Sequence, residues 1–243
     1  MSSARRFFDH AEAKLREVLE TQLPNIEKAA QVIAQCCREG GKFYVFGSGH
    51  SHMITEELYL RAGGLALVHG ILPPEVMLHQ MSQKSSVMER IEGYGSALVE
   101  LYKVDAKDAV LVVSNSGRNP APVDVALRAR EKGAKVIALT SMRHSAGCTS
   151  RHSSGKKLYE IADVTIDNCA VKGDADFPIP GIDVPMGPVS SVTGIVIAEA
   201  LACQVAENLA KMGMEPPVFV SSNVDGGDAR NEHLYETYYG YWK

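Results

Sequence analysis

Two short stretches of this 243-residue chain concentrate serine, asparagine and glycine, and each follows directly on an apolar run. Residues 109–113 are five apolar residues, three of them valine, and lead into Ser114-Asn115-Ser116-Gly117-Arg118-Asn119-Pro120. Residues 43–46 (Phe-Tyr-Val-Phe) lead into Gly47-Ser48-Gly49-His50-Ser51. Apolar runs of this length suit parallel strands covered on both faces. Gly117 lets the backbone pass close to a ligand, and Pro120 suits the first turn of a helix. A helix N-terminus presents unpaired N–H groups and a positive dipole end, so hydroxyls gathered there form a cradle for phosphate. The chemistry this predicts is the binding of a phosphorylated small molecule.

Moving a proton on such a molecule calls for Glu or His, whose pKa burial and neighbours can bring toward neutrality. Glu56, Glu57, Glu199 and His233 are the candidates. Adjacent helical positions point about 100° apart, so only one of Glu56 and Glu57 faces a cleft. Glu199 lies on an otherwise apolar helix between Ile195 and Leu201, where a charge is either a narrow solvated stripe or a functional group. His233 belongs to a polar tail without helical or strand pattern. Arg61 offers a cation for an anionic ligand, or a surface ion pair. His50, His52, His69 and His79 raise the question of a metal, but no compact HxxxH or HExxH spacing supports one. Neither metal nor cofactor is expected. His144 and His152 sit in a Ser-rich, basic stretch expected to be a solvated loop.

The elements that must position these groups follow from periodicity. Residues 4–40 read as two helices broken near Pro24, with Phe7, Phe8, Ala11, Leu15, Val18 and Leu19 at helical spacing in the first. Ile26, Ala29, Ala30, Ile33 and Ala34 repeat the pattern in the second. After the strand at 43–46 come a helix from about 52 to 61, a strand at 66–68 and an irregular stretch at 70–83. A helix over 86–102 precedes the strand at 109–113. A further helix runs from Pro120 to Gly133, followed by strands at 136–140 and 164–166. Residues 141–157 and 168–188 read as loops. A last helix covers 189–212, with an edge strand at 216–220 and a polar, aromatic tail to Lys243. Strands alternating with helices at this spacing imply a doubly wound parallel sheet, whose ligands sit beyond the carboxyl ends of the strands. The simplest division is a single domain of residues 1–243: a helical extension at 1–40, an α/β core at 41–213 and a tail at 214–243.

The first turn alone lacks the third glycine of a dinucleotide fingerprint and the lysine of a nucleotide P-loop. The second, Ser114-Asn115-Ser116-Gly117-Arg118-Asn119-Pro120 between a strand and a helix ending in Lys132-Gly133-Ala134, resembles the sugar isomerase (SIS) domain family. The resemblance extends from the first turn to Gly187-Pro188-Val189-Ser190-Ser191, over residues 25–212. Phosphoheptose isomerases and N-acetylmuramic acid 6-phosphate etherases are the relatives nearest in pattern. It implies a three-layer, flavodoxin-like α/β fold with a five-stranded parallel sheet. By analogy Ser51, Ser114, Ser116 and Asn119 would hold the phosphate, with Ser48, Asn115, Gly117 and Ser191 around the sugar. Asn119 stands where relatives carry Ser or Thr, and Arg61 stands near the place of the isomerase glutamate. The expected function is sugar-phosphate binding with aldose–ketose isomerisation, using Glu57 or Glu199 as base. The alternatives are an amino-sugar-phosphate etherase or lyase, and a non-catalytic phosphosugar sensor. The resemblance also implies a homodimer or homotetramer.

Composition bounds the setting. The chain is 45% hydrophobic and 22% charged, with a net charge of −4 and no long basic run, which argues against nucleic acid as partner. Five cysteines without a CxxC pair fit reduced thiols in a cytoplasm. No signal peptide and no membrane-spanning run is expected.

Overall fold

The computed structural model describes residues 1–240. Strands β1 Phe43–Gly47, β2 Val68–Ile71, β3 Ala109–Val113, β4 Lys135–Thr140 and β5 Val164–Asp167 form one parallel sheet. The order is β2-β1-β3-β4-β5, so the winding reverses between β1 and β3. Ligands of doubly wound sheets bind above that reversal, at the carboxyl ends of the strands. β1 and β3 run level, from Phe43 opposite Ala109 to Gly47 opposite Val113. The two Ser-rich turns therefore leave the sheet side by side.

The helices are α1 Ser3–Arg38, α2 His52–Leu58, α3 Ser82–Met88, α4 Tyr94–Leu101, α5 Pro120–Glu131, α6 Met142–Ala146, α7 Leu158–Ile161, α8 Ser190–Lys211 and α9 Gly227–Tyr238. Alternation along the strands sends Phe43, Val45, Leu111, Val113, Ile137 and Leu139 into a layer built on α1, α2 and α8. Tyr44, Phe46, Val110, Val112, Val136 and Ala138 face the opposite layer of α4, α5 and α7. Each fully buried Val, Leu, Ile or Phe adds roughly 1.5–3 kcal/mol, which is why both strand faces read as apolar. This is the five-stranded, three-layer α/β architecture expected. Helix α8 is long and apolar enough to cross a membrane by length and composition, and here its apolar side packs on α1 and α2.

Several local expectations are corrected. Residues 3–38 form one helix that runs through Pro24. An interior proline costs a helix about 3 kcal/mol, but here packing holds both halves. Gln22 accepts the Asp167 N–H of β5 at 3.1 Å, and Ile26, Ala29, Ala30, Ile33 and Ala34 are buried in the core. The C-terminal half of α1 packs within the layer of α2 and α8. The helix expected over 86–102 is split into α3 and α4 by residues 89–93, where Gly93 has a φ of +85°. The second strand starts at Val68 because Leu65 and Ala66 pair instead with Val218 and Pro217, leaving 216–220 as a single bridge.

The stretch 141–157 contains α6, and its His152 is not solvated: Nε2 lies 3.0 Å from Asp124 Oδ1, with both side chains under a tenth exposed. Residues 168–188 hold an antiparallel pair, β6 Ala175–Phe177 and β7 Met186–Pro188, fastened to α1 through Phe7 against Phe177 and His10 against Asp176 at 2.7 Å. The tail expected to lack pattern carries α9, whose Leu234, Tyr235 and Tyr238 pack with Tyr239 around Phe219 and Ala66. The last three residues of that tail lie outside the described ones.

Candidate functional site

The first turn is shaped by Gly47. A Cβ there would lie 2.3 Å from the Ser51 carbonyl oxygen, so only glycine lets the chain fold back over the end of β1. The return brings Ser51 to the start of α2. There it meets Asn115 of the second turn, Asn168 beyond β5, and Ser190 and Ser191 at the start of α8. These side chains line one narrow crevice floored by Ile54, Val113 and Leu139. Asn168 Nδ2 donates to Asn115 Oδ1 at 3.0 Å, and Ser190 donates through both its N–H and its hydroxyl to Asp174. Of the predicted binding residues, Ser51, Asn115 and Ser191 therefore share one wall-to-wall site.

Ser48 and Asn119 are drawn elsewhere, toward Glu89, which follows α3. Ser48 Oγ donates to Glu89 Oε2 at 2.9 Å and Asn119 Nδ2 donates to Glu89 Oε1 at 2.8 Å. One carboxylate thus ties the first turn to the second, directly above the reversal of the sheet. Arg151 completes the set by donating to Asn119 Oδ1 at 2.9 Å. The sequence gives no periodic or motif signal for Glu89, which lies within a stretch that reads as ordinary helix.

The first turn of α5 offers no free N–H of its own. Pro120 and Pro122 have no N–H, Ala121 N donates to the Glu89 carbonyl at 2.9 Å, and Val123 N donates to Asn119 O at 3.4 Å. A pair of prolines and a residue just past α3 take the donors a phosphate would need there. Within the second turn Ser114 Oγ accepts from Gly117 N at 3.2 Å. Gly117 has a φ of +57°, and a Cβ on it would lie 2.9 Å from Ser145 Oγ. The carbonyl of Ser116 lies 3.8 Å from Cys148 Sγ.

Burial lowers the pKa of two histidines near the turns. His52 is almost fully buried, with Nδ1 3.1 Å from Gly47 O, and burial lowers its pKa against the opposing effects of that bond and of Glu56. His144 is lowered by burial first and then by Lys172 and Arg118. Among the described residues no group of three or more His, Cys, Asp or Glu side chains could hold a metal ion. All five cysteines are free thiols.

The proton-transfer candidates fall outside the crevice lining. Glu57 of α2 pairs with Arg61, whose guanidinium also lies 3.8 Å from Glu199 of α8. At 1.5 Å per residue Glu199 sits roughly 8 Å along its helix from Gly194, the last α8 residue lining the crevice. His233 of α9 lines a different pocket, with Glu215, Pro217 and Arg230.

Residues 6–141 match the model of the SIS domain family, more than half of the chain. The chain belongs to the SIS-domain family. A UPF0309 protein of Halalkalibacterium halodurans is 53% identical over 224 residues, covering 92% of this chain and 93% of that one. Two solved structures share the fold. A phosphoheptose isomerase of Neisseria gonorrhoeae superposes with a TM-score of 0.57 at 16% identity, over 84% of this chain and 97% of that one. A phosphoheptose isomerase of Francisella tularensis superposes with a TM-score of 0.56 at 18% identity, over 85% of this chain and 100% of that one.

Proposed function

We infer that this protein binds a sugar phosphate in the crevice above the β1–β3 reversal and interconverts its aldose and ketose forms, as phosphoheptose isomerases do. The observation that carries the reading is the convergence of Ser51, Asn115 and Ser191 from three separate elements on one polar-walled, apolar-floored crevice. Hydroxyls and amides of this kind bind a phosphate without a large excess of positive charge, which suits a chain of net charge −4. The free thiols favour a cytoplasmic setting. Assembly as a homo-oligomer is part of the same reading.

A second reading, a phosphosugar sensor without chemistry, draws on the placement of Glu57, Glu199 and His233 away from the crevice lining. A role for Glu57 or Glu199 as base needs the ligand to reach outward along α2 and α8 to the Arg61 cluster.

Thermal unfolding with a panel of aldose and ketose phosphates, the matching unphosphorylated sugars and inorganic phosphate tests the site. Ligand at 100 times its Kd stabilises the fold by about 2.7 kcal/mol. The expected result is a rise in Tm for one or a few sugar phosphates that disappears in the Ser51→Ala/Ser191→Ala variant. A flat response to every phosphorylated compound overturns the reading.

A further inference from the structure

We propose that the aromatic pocket around the outer edge of β2 binds a nucleobase, at a site separate from the crevice at the carboxyl ends of the strands.

Three helices end at this pocket. Tyr59 follows the last residue of α2, Tyr102 that of α4 and Tyr239 that of α9. With Tyr44 of β1 and His69 and Gly70 of the edge strand β2, they line a pocket of about 270 Å³. Small-molecule sites begin at about 300 Å³, so this volume suits one flat ring system with a small substituent. None of these residues lines the crevice of Ser51 and Ser191.

The rings are fixed by bonds at their tips. Tyr44 OH donates to the Tyr102 carbonyl at 2.9 Å, Tyr102 OH accepts from Leu72 N at 3.3 Å, and Tyr239 OH donates to the Val68 carbonyl. With these hydroxyls committed to the main chain, the walls are ring carbon held in set planes. His69 lies tilted between Tyr44 and Tyr239, with centroids at 5.5 and 5.1 Å, and Tyr59 meets Tyr239 edge-on at 5.9 Å. Burial lowers the His69 pKa to about 4, so this ring is uncharged at pH 7. Fixed neutral aromatic faces stack on flat heteroaromatic rings, and every nucleobase offers such a face.

Gly70 supplies an independent observation. It lies inside a strand, where glycine weakens the pairing and marks a close approach of a ligand or a second backbone. It does not take the positive φ that would call for glycine. Space calls for it instead: a Cβ there would lie 2.8 Å from Leu72 Cδ1 and 3.3 Å from Tyr59 Cγ. In a parallel ladder alternate residues turn both main-chain groups to the same side. Phe43 N donates to Leu67 O, so Leu67, His69 and Ile71 face β1. Gly70 therefore turns its N–H and C=O outward, as Val68 turns its carbonyl to Tyr239. One donor beside one acceptor matches the hydrogen-bonding edge of a base. Among the described residues no carboxylate lines the pocket, and Lys42 is its one charged lining residue. A phosphate carried on the ribose is thus not repelled by the wall.

Saturation-transfer NMR on the full chain tests the site with adenosine, guanosine, cytidine, uridine and their 5′-monophosphates. Transfer to the base protons of at least one nucleoside is expected, and comparing its Kd with that of the monophosphate tells which form is the ligand. Gly70→Leu fills the pocket and abolishes the transfer. His69→Ala removes one wall and weakens binding roughly 5-fold or more, the scale of one lost stacking contact. Ser51→Ala/Ser191→Ala binds the nucleoside as wild type does. If Gly70→Leu fails to fold, Gly70→Ala and His69→Ala carry the same comparison. Absence of transfer to every nucleoside overturns the proposal. So does a Kd that neither the Gly70 nor the His69 variants change. Loss of binding in Ser51→Ala/Ser191→Ala would place the compound in the crevice and overturn it as well.

Discussion

His69 shows how a single side chain is tuned by its surroundings. Its ring lies between Tyr44 and Tyr239, with centroids at 5.5 and 5.1 Å, and burial followed by the nearby Lys42 lowers its pKa from 6.5 to about 4. Between those two values the unfolded chain binds a proton that the folded chain refuses. The contribution of His69 to stability is therefore complete above pH 6.5 and is lost as the pH falls toward 4. The loss is on the order of 2–3 kcal/mol, from the size of the shift and the partial exposure of the ring. Denaturant unfolding across a pH range of about 4–7 is expected to give a flatter stability profile for His69→Gln than for wild type. An unchanged slope would mean that His69 titrates normally in the folded protein.

At the scale of elements, the junction of α4, α5 and the 148–157 segment depends on Asp124. Its carboxylate accepts from Gly93 N at 2.6 Å and pairs with His152 at 3.0 Å while almost fully buried. Gly93 starts α4 in the left-handed region, and His152 neighbours Arg151, so one side chain ends the break after α3 and holds the segment behind Asn119. Leaving a buried hydrogen-bond donor without its acceptor costs about 1–3 kcal/mol, and Asp124 serves two partners. Asp124→Ala is expected to lose most of that in denaturant unfolding. Its 148–157 segment should also be cut by trypsin at Arg151 well before the rest of the chain. Cleavage no faster than in wild type would mean that other bonds hold the segment.

Across the whole molecule, one long helix is left half-covered. Phe8 and Leu19 of α1 are 75% and 59% exposed, and Leu23 is exposed beside them. At 100° per residue these three positions lie within about 60° of one another, so they form one apolar stripe. Helices that bury such a stripe against a second copy form stable interfaces. Light scattering is expected to give at least twice the chain mass for wild type and the single-chain mass for Phe8→Glu/Leu19→Glu. A monomeric wild type would assign the stripe another role.

The sheet and the place of the candidate site are legible in the amino-acid order alone. Continuous apolar runs at 43–46, 109–113 and 136–140 suit strands buried on both faces, and the glycine- and serine-rich turns after the first two mark their carboxyl ends. Gly47 and Gly117 are legible because the backbone geometry at those points admits no side chain without a clash or strain. What a given hydroxyl or carboxylate touches is not legible, because those partners lie 28 to 41 residues away along the chain. Ser48 meets Glu89, Asn119 meets both Glu89 and Arg151, and Asp124 meets His152. Pro24 fails to end its helix for the same reason, since packing from β5 and the core outweighs a local breaker. Periodicity and composition encode burial, which is a property of each residue. The pairing of polar groups across the reversal of the sheet is a property of the folded chain, because it depends on how separate elements are brought together.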